Sequence, residues 1–112
     1  MSFDALVVNP GRLRILTALA GQSKQPFVEL RRQTGLTDGN LCTHARRLQS
    51  AGFIAIEKSI AAGKPLTTLA LTSRGRDALA EHAHALLRSL EAPVVAPSAE
   101  EPADDYVDDW VD

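Results

Sequence analysis

Residues 36–53, LTDGNLCTHARRLQSAGF, have the signals of a single helix that begins and ends within the stretch. Thr37 is placed to cap the start of the helix, and Gly52 is placed to end it. A buried stripe is predicted by three apolar residues that recur at intervals of three and four: Leu41, Ala45 and Leu48. The opposite face carries hydrogen-bonding and cationic groups, namely Asn40, Thr43, His44, Arg46 and Arg47. One side of this helix is therefore core, and the other is available to a partner.

Two further helices are predicted on the N-terminal side of this stretch. Residues 9–21, NPGRLRILTALAG, have Asn and Pro at the start and Gly at the end, as helices commonly do. The residues expected on the buried side of this helix are Leu13, Ile15, Leu16, Leu19 and Ala20. The second helix covers residues 27–35, FVELRRQTG, with Phe27 and Leu30 facing inward. Only two residues separate it from the third helix, which is typical of a helix-turn-helix.

The hydrophobic period changes from helical to alternating after Gly52. The segments FIAIEKS and LTTLALT read as two strands, and IAAGKP between them holds the Gly and Pro expected to turn a hairpin. Thr72 then caps a fourth helix, SRGRDALAEHAHALLRSLEA, which Pro93 and Pro97 end. We therefore predict an α+β fold, mainly α with a β-hairpin wing, that is, a winged helix-turn-helix. Residues 1–92 form the domain, and residues 93–112 form a disordered acidic tail.

Composition places the chain in a broad class. Its 112 residues suit one domain, and 45% hydrophobic with 23% charged residues is ordinary for a globular protein. No apolar run approaches the roughly 20 residues that span a bilayer, and the N-terminus does not have the pattern of a signal peptide. We therefore expect a cytoplasmic protein without a membrane partner. The single Cys42 cannot form an intramolecular disulfide.

The formal net charge of −2 conceals a strong asymmetry. Residues 1–90 hold all 12 Lys and Arg residues against six acids, which leaves +6. Residues 91–112 hold eight acids and no base, which gives −8. A basic body therefore carries an acidic tail, and a basic body is one signature of nucleic-acid binding.

The segments RLRILTAL, FVELRRQTGLTDGNLCTHARRLQSAGFI and KPLTTLALTSRGRDAL resemble winged-helix bacterial transcriptional regulators of the MarR/ArsR-like type, in particular the small single-domain branch. The resemblance covers roughly residues 9 to 87 and implies the winged-helix fold and a DNA-binding regulator. It also implies that the residues at the DNA include Thr37, Gly39, Asn40, Thr43, His44, Arg47 and, in the wing, Lys64. This sequence departs from the pattern in its wing, where SIAAGKPLT retains Lys64 but few other bases.

Elementary chemistry supports the same set of DNA-binding residues. Asn40 can contact adenine through two hydrogen bonds, and Arg47 can bind guanine or a phosphate. Arg46 either joins this contact or lies on the solvated face of the helix. Thr37 lies at a helix N-terminus, where phosphate is favoured, and Gly39 leaves room for close approach. Asp38 would repel a phosphate unless it reads a cytosine or complements the helix dipole.

Metal and enzyme functions are disfavoured. Cys42 and His44 are two residues apart on a helix and point in different directions, while His82 and His84 lack a defined ligand spacing. No nucleophile with a base and an orienting partner is visible, and there is no glycine-rich phosphate loop. We therefore predict no metal, no cofactor and no enzymatic activity.

The fourth helix predicts a homodimer. It has an apolar stripe with nothing left in the chain to cover it, and we assign dimerisation to Leu79, Ala83, Leu86, Leu87 and Leu90, with support from the N-terminal FDALVV. The leading prediction is a sequence-specific transcriptional regulator that binds double-stranded DNA as a homodimer at an inverted repeat. Two alternatives stay open: a winged-helix module that binds a protein through its acidic aromatic tail or its weakly basic wing, and a repressor that responds to a small molecule bound between the first and fourth helices.

The tail EEPADDYVDDWVD contains the only Tyr and the only Trp of the chain. Four of its residues recur at a spacing that would bring them to one face of a helical turn: Tyr106, Val107, Trp110 and Val111. A purely solvating tail does not need aromatic residues. The tail is therefore expected to be either a plain solubilising end or a segment that docks, on the chain's own recognition face in competition with DNA or on a protein partner.

Overall fold

The computed structural model describes residues 5–91, 93 and 95. The described elements are α1 (Ala5–Val8), α2 (Pro10–Gly21), β1 (Lys24–Pro26), α3 (Phe27–Thr34), α4 (Asp38–Ser50), β2 (Ile54–Ala61), β3 (Lys64–Leu71) and α5 (Ser73–Leu90). The three strands form one antiparallel sheet in the order β1-β3-β2. Within the predicted tail, residues 93–112, residues 93 and 95 are described, and the candidate docking residues Tyr106, Val107, Trp110 and Val111 lie outside the described residues.

The starts of three helices are capped as their sequences predict. Asn9 Oδ1 accepts from the backbone N–H of Arg12 at 3.1 Å, at the start of α2. Thr37 Oγ1 accepts from the N–H of Asn40 at 3.1 Å, and Thr72 Oγ1 accepts from the N–H of Gly75 at 3.0 Å. Each bond joins residues three apart, so the sequence alone specifies where these helices begin.

The sheet differs from the prediction, because the hairpin carries a third strand. β1 pairs with β3, with Gln25 opposite Leu69. Gln25 is only 1% exposed. Its Nε2 donates to the carbonyls of Ala18 at 2.9 Å and Gln22 at 2.8 Å, and its Oε1 accepts from Gln33 at 2.7 Å. The strand therefore ties the end of α2 to the sheet through a buried amide whose donors and acceptor are all used.

The turn of the hairpin is also shorter than predicted. Ala62 and Gly63 alone connect the strands, with φ of 53° and 79°. Positive φ at both central residues is the geometry of a two-residue type I′ turn, which follows the twist of the strands. Pro65, expected in the turn, is paired opposite Ile60 within β3. It lies beyond the part of β3 that pairs with β1, so its missing N–H leaves no ladder bond unmade.

The core lies where α2, α3 and α4 meet the sheet. Its fully buried side chains are Val7, Ile15, Leu16, Leu19, Leu30, Leu41, Leu48 and Leu69. Ala20, predicted to be buried, is exposed, and Leu13 is half-buried. The stripe of α2 is rotated toward Ile15 and Leu19 because α2 packs against both α4 and the sheet.

The start of α5 fits closely against the turn that follows α4. Thr72 Oγ1 donates to the carbonyl of Gly52 at 2.6 Å, and the N–H of Thr72 donates to the carbonyl of Phe53 at 3.1 Å. A Cβ atom on Gly75 would lie 2.0 Å from the carbonyl oxygen of Phe53, so no larger residue fits at this position. Among the residues that the structure describes, no helix is long and apolar enough to cross a membrane.

Candidate nucleic-acid interface

The two faces of α4 are separated as the sequence predicts. Leu41, Ala45 and Leu48 are 0%, 2% and 0% exposed and pack into the core. Of the eight predicted DNA contacts, His44 is half-buried and the other seven are exposed: Thr37, Gly39, Asn40, Thr43, Arg46, Arg47 and Lys64. Five of these belong to α4 and fall opposite the buried stripe at 100° per residue. The helix thus presents an outward polar face with two arginines.

Gly39 lies in open space in the first turn of α4. Outside its own helix backbone and chain neighbours, no heavy atom of the described structure lies within 4 Å of the position that a Cβ would take. Its φ is not in the left-handed region. Internal packing therefore gives no reason for a glycine here, and the free space faces outward.

Thr37 and Asp38 lie at the N-terminus of α4, and each makes a hydrogen bond there. Thr37 is exposed, and its hydroxyl oxygen caps the helix through Asn40. Asp38 accepts a hydrogen bond from Arg31 Nη1 at 2.8 Å, so its charge is paired with a cation of the preceding helix. Both side chains of this pair are largely exposed, so the pair contributes little to stability. Its effect is local, because it offsets the one acid of α4 at the end that a phosphate would approach.

His44 occupies a different place from the other predicted residues. Its ring lies at the edge of the outward face and packs against the start of α2, where a Cβ on Gly11 would lie 2.7 Å from Nε2. Arg12 Nη1 lies 3.4 Å from His44 Nδ1. Partial burial, with the nearby charges of Arg12 and Arg47, lowers the pKa of His44. The neutral ring accepts from Arg12 and holds α4 against α2.

Sequence reasoning missed Arg12 as part of this arrangement. Besides its contact with His44, Arg12 Nε donates to the carbonyl of Leu6 at 2.7 Å, and Nη2 donates to that of Ala5 at 3.5 Å. One side chain therefore joins α1, α2 and α4. The two residues of the Arg12–His44 contact are 32 positions apart in the sequence, so no local sequence pattern predicts the contact.

The wing presents Lys64 beside its two-residue turn. Lys64 is exposed and is the first residue of β3, paired opposite Ala61. Lys58 is also exposed, farther down β2. Lys24 of β1 forms an ion pair with Glu57 at 3.0 Å, so that lysine is engaged within the sheet. Among the cations of the described hairpin, Lys64 is thus the one beside the turn.

The residues of α5 assigned to dimerisation differ in their exposure. Leu79 is half-buried and packs against the core of its own chain. Leu86, Leu87 and Leu90 are 47%, 57% and 75% exposed, and Ala83 is exposed as well. Val8 of α1, an element that lies against α5, is 42% exposed. The second half of α5 therefore presents a leucine face to the surroundings of this chain.

The residues weighed for metal binding lie apart. Cys42 lines a cleft on the wing side of α4, whereas His44 faces α2. Over residues 5–91, 93 and 95, no group of three or more His, Cys, Asp or Glu side chains is placed to hold a metal ion.

Comparison with known proteins bears directly on this geometry. Residues 12–90 match the winged helix DNA-binding domain family. An HTH-type transcriptional repressor of Mycobacterium tuberculosis is 38% identical over 84 residues, which are 75% of this chain and 57% of the repressor, so the chain spans little more than half of that relative. The structure of a transcriptional regulator homologue from Pyrococcus horikoshii superposes with a TM-score of 0.67 at 31% identity, over 77% of this chain and 88% of that one.

The fold also matches a MarR-family transcriptional regulator from Silicibacter pomeroyi, with a TM-score of 0.58 at 19% identity over 81% of this chain and 62% of that one. This likeness shows that the two chains share the winged-helix fold. The family match covers the helix-turn-helix, the wing and α5 together. The chain therefore belongs to the winged helix DNA-binding domain family, and it is a DNA-binding transcriptional regulator of the winged-helix type rather than an enzyme.

Proposed function

We propose that the chain is a sequence-specific transcriptional repressor that binds double-stranded DNA as a homodimer. The observation that carries this proposal is the outward face of α4, where Asn40, Thr43, Arg46 and Arg47 are exposed together and the one acid of the helix is paired with Arg31. Repression is inferred from the mycobacterial relatives, which are named as repressors.

The dimensions of α4 suit a major groove. Its 13 residues make a helix of about 20 Å, which fits a groove about 12 Å wide. In this placement Asn40 makes two hydrogen bonds to an adenine, and Arg47 binds a guanine or a phosphate. Thr43 and Arg46 reach bases or backbone, and Lys64 of the wing contacts the backbone or minor groove. The open space at Gly39 lets the start of the helix approach a phosphate closely.

His44 has a different role in this proposal. Because its ring is held between Gly11 and Arg12, it positions α4 and reaches DNA only from the edge of the outward face. Thr37 combines two roles, since its oxygen caps the helix while its hydroxyl proton remains able to donate to a phosphate.

The leucine face of α5 supplies the dimer. Leu86, Leu87, Leu90 and Ala83 form an exposed apolar surface on one helix, with Val8 exposed on the adjacent α1. Two copies that cover this surface about a twofold axis would present two copies of α4. Such a dimer reads an inverted repeat whose half-sites lie about one helical turn of DNA, or a multiple of it, apart.

Binding to DNA fragments across a salt series tests the proposal. Fluorescence anisotropy with fragments of the source genome, including the chain's own promoter, should find one fragment bound far more tightly than random DNA. The logarithm of its affinity should fall with the logarithm of salt concentration, because phosphate contacts release counterions. Asn40→Ala should lower affinity for that fragment and leave binding to random DNA nearly unchanged.

The alternative function is a protein-interaction module that works through the acidic tail. It predicts no salt-sensitive binding to any DNA fragment, together with a chain that is correctly folded by circular dichroism. That pair of results would overturn the repressor proposal in favour of the interaction module.

A further inference from the structure

A cleft of about 640 Å³ lies between α3, α4 and the hairpin. Its walls are mainly apolar and include Phe27 and Val28 of α3, Ala45 of α4, and Ile56, Pro65 and Leu66 of the hairpin. Two cations, Arg46 and Lys58, also line it. Cys42, the single cysteine of the chain, is a further lining residue. The cleft does not lie between the first and last helices, the place that the small-molecule alternative requires.

The cleft has the chemistry of a docking site for an acidic and aromatic segment. Val28 is 61% exposed and Phe27 is half-buried, so the floor has apolar surface that the described chain does not cover. Arg46 and Lys58 are exposed beside this surface. An apolar floor next to two cations favours a ligand that carries aromatic groups and carboxylates close together.

The cleft and the DNA-facing surface share a residue. Arg46 lines the cleft and also lies on the outward face of α4. A segment that places carboxylates against Arg46 would neutralise part of the surface that approaches phosphate. Occupation of the cleft and binding of DNA therefore oppose each other.

We propose that residues 104–112 of the same chain, DDYVDDWVD, dock in this cleft and compete with DNA. Tyr106 and Trp110 are four residues apart and can enter one groove together, while the flanking aspartates face Arg46 and Lys58. The segment has five acids and no base, against the +6 of residues 1–90. The inference rests on the proposed DNA-binding function, and it adds an inhibitory contact to it.

The segment can reach the cleft of its own chain. Fifteen residues lie between Leu90, the last residue of α5, and Tyr106, and an extended chain of that length spans up to about 50 Å. A domain of this size is about 30 Å across. A tether of this length also gives an effective local concentration near the millimolar range, which favours the tail of the same chain over that of another copy. If the docked form is about 90% populated, it lowers the apparent affinity for DNA about tenfold.

The chain has one reporter on each side of this contact, since its only Trp is in the tail and its only Cys is in the cleft. In the full-length protein at low salt, Trp110 emission should be blue-shifted, and Cys42 should react slowly with iodoacetamide. At 1 M salt, where the screening length falls to about 3 Å, both should approach the behaviour of exposed groups.

Val28→Glu places an acid on the floor of the cleft, at a position exposed enough to tolerate it. It should release the tail, which shifts Trp110 emission to the red and speeds Cys42 alkylation several-fold. Ile60→Glu is the matched control, because Ile60 is an aliphatic residue of the wing, 76% exposed, that does not line the cleft. Trp110→Ala should also speed Cys42 alkylation, and this tail variant leaves the residues of the domain unchanged.

DNA affinity of the same full-length variants completes the test. Trp110→Ala should tighten binding about tenfold. Val28→Glu also adds a carboxylate to the cleft that Arg46 lines, so it is compared with the double variant, which should bind DNA as tightly as Val28→Glu alone because both substitutions remove one contact. Additive effects, or no tightening, would overturn the inhibitory contact. A protection of Trp110 that grows with protein concentration would assign the cleft to the tail of a second copy and contradict docking within one chain.

Failure of this inference is distinguishable from failure of the proposed function. Trp110 emission and Cys42 alkylation report docking without DNA, and the salt series reports DNA binding without reference to the tail. A chain that binds its fragment specifically but shows an exposed Trp110 at every salt concentration retains the repressor function and loses the inhibitory contact.

Discussion

The helices α4 and α5 are both amphipathic and both start at a threonine cap, yet they use their faces in opposite ways. α4 buries its apolar residues almost completely and exposes polar and cationic ones. α5 packs its first half, through Gly75, Ala78 and Leu79, and exposes leucines in its second half. The exposed face of α4 suits an anionic partner, and that of α5 suits an apolar one.

The difference has an energetic basis. An arginine or asparagine side chain exposed to water is fully solvated. The outward face of α4 therefore carries no desolvation penalty in the DNA-free protein. Burial of a leucine side chain contributes about 1.5–3 kcal/mol, so the exposed face of α5 has free energy to gain from a contact. Single exposed apolar residues are common, but contiguous ones on one helix indicate an interface. The two helices therefore predict two kinds of partner, and substitutions on each should affect one and not the other.

The largest effect is expected from the double substitution of Leu86→Glu and Leu90→Glu. Charges in the leucine face should turn the dimer into monomers, with a dissociation constant raised at least about 100-fold, because each subunit loses two buried leucines. Sedimentation equilibrium measures this. Ala80→Glu with His84→Glu is the control, since both residues are exposed on another side of α5 at the same spacing. A parent chain that is already monomeric at tens of micromolar would contradict the dimer.

Substitution on α4 should affect DNA and spare the dimer. Asn40→Ala should cost about 1–3 kcal/mol in specific binding and relax the preference at one base pair. Anisotropy titrations with variant operators measure both effects. Gln49→Ala, which removes an exposed amide in the last turn of α4, should have little effect. Equal losses for the two variants would place the contact elsewhere on the helix.

Gly39→Ala should separate stability from binding. Alanine is favoured over glycine within a helix by about 1 kcal/mol, and no described atom would clash with the new methyl group. Thermal unfolding should therefore show a more stable protein, while DNA binding weakens because the methyl group enters the space left for the phosphate. A variant that is more stable and binds DNA as tightly as the parent would contradict the proposal that a phosphate lies close to Gly39.

The wing should contribute less than α4. Lys64→Ala should weaken binding to all sequences alike and reduce the slope of log affinity against log salt by about one. Lys24→Ala is the matched control, because Lys24 is an exposed sheet lysine already paired with Glu57. A loss confined to the specific operator would instead make Lys64 a base contact.

The smallest effect concerns pH and the seating of α4 on α2. Because the pKa of His44 is lowered in the folded chain by burial and by Arg12 and Arg47, the unfolded chain binds more protons between the folded and the ordinary value. Stability should therefore rise with pH through this interval, level off above about 6.5, and be lower in acid. Thermal unfolding from pH 4.5 to 8 measures this, and His44→Gln should flatten the profile.

Much of the fold could be predicted because its signals are local. The caps at Asn9, Thr37 and Thr72 each use a bond to a residue three positions away. The buried stripe of α4 follows from its spacing alone. Gly35 ends α3 with a φ of 74°, a conformation that glycine adopts without strain. Each of these features depends on a few consecutive residues.

Features that depend on distant residues were missed or were wrong. β1 is only three residues long and contains Pro26, so its composition does not indicate a strand, and it forms because β3 offers a free edge. Ala20 is exposed because the direction in which α2 faces is set by α4 and the sheet. Five of the proposed DNA contacts lie on the exposed side of α4 and Lys64 is exposed in the wing, whereas His44 contacts Arg12 of α2.

The sequence by itself determined where four helices and the hairpin lie, which side of α4 is buried, and that a basic body precedes an acidic tail. These properties are set by short-range hydrogen bonds, hydrophobic period and composition, all of which act along the chain. Only the tertiary structure decided that the buried Gln25 side chain joins β1 to the end of α2, that Asp38 is offset by Arg31, and that a cleft opens beside Arg46. Such contacts join residues whose distance is set by packing, and packing depends on all the elements together.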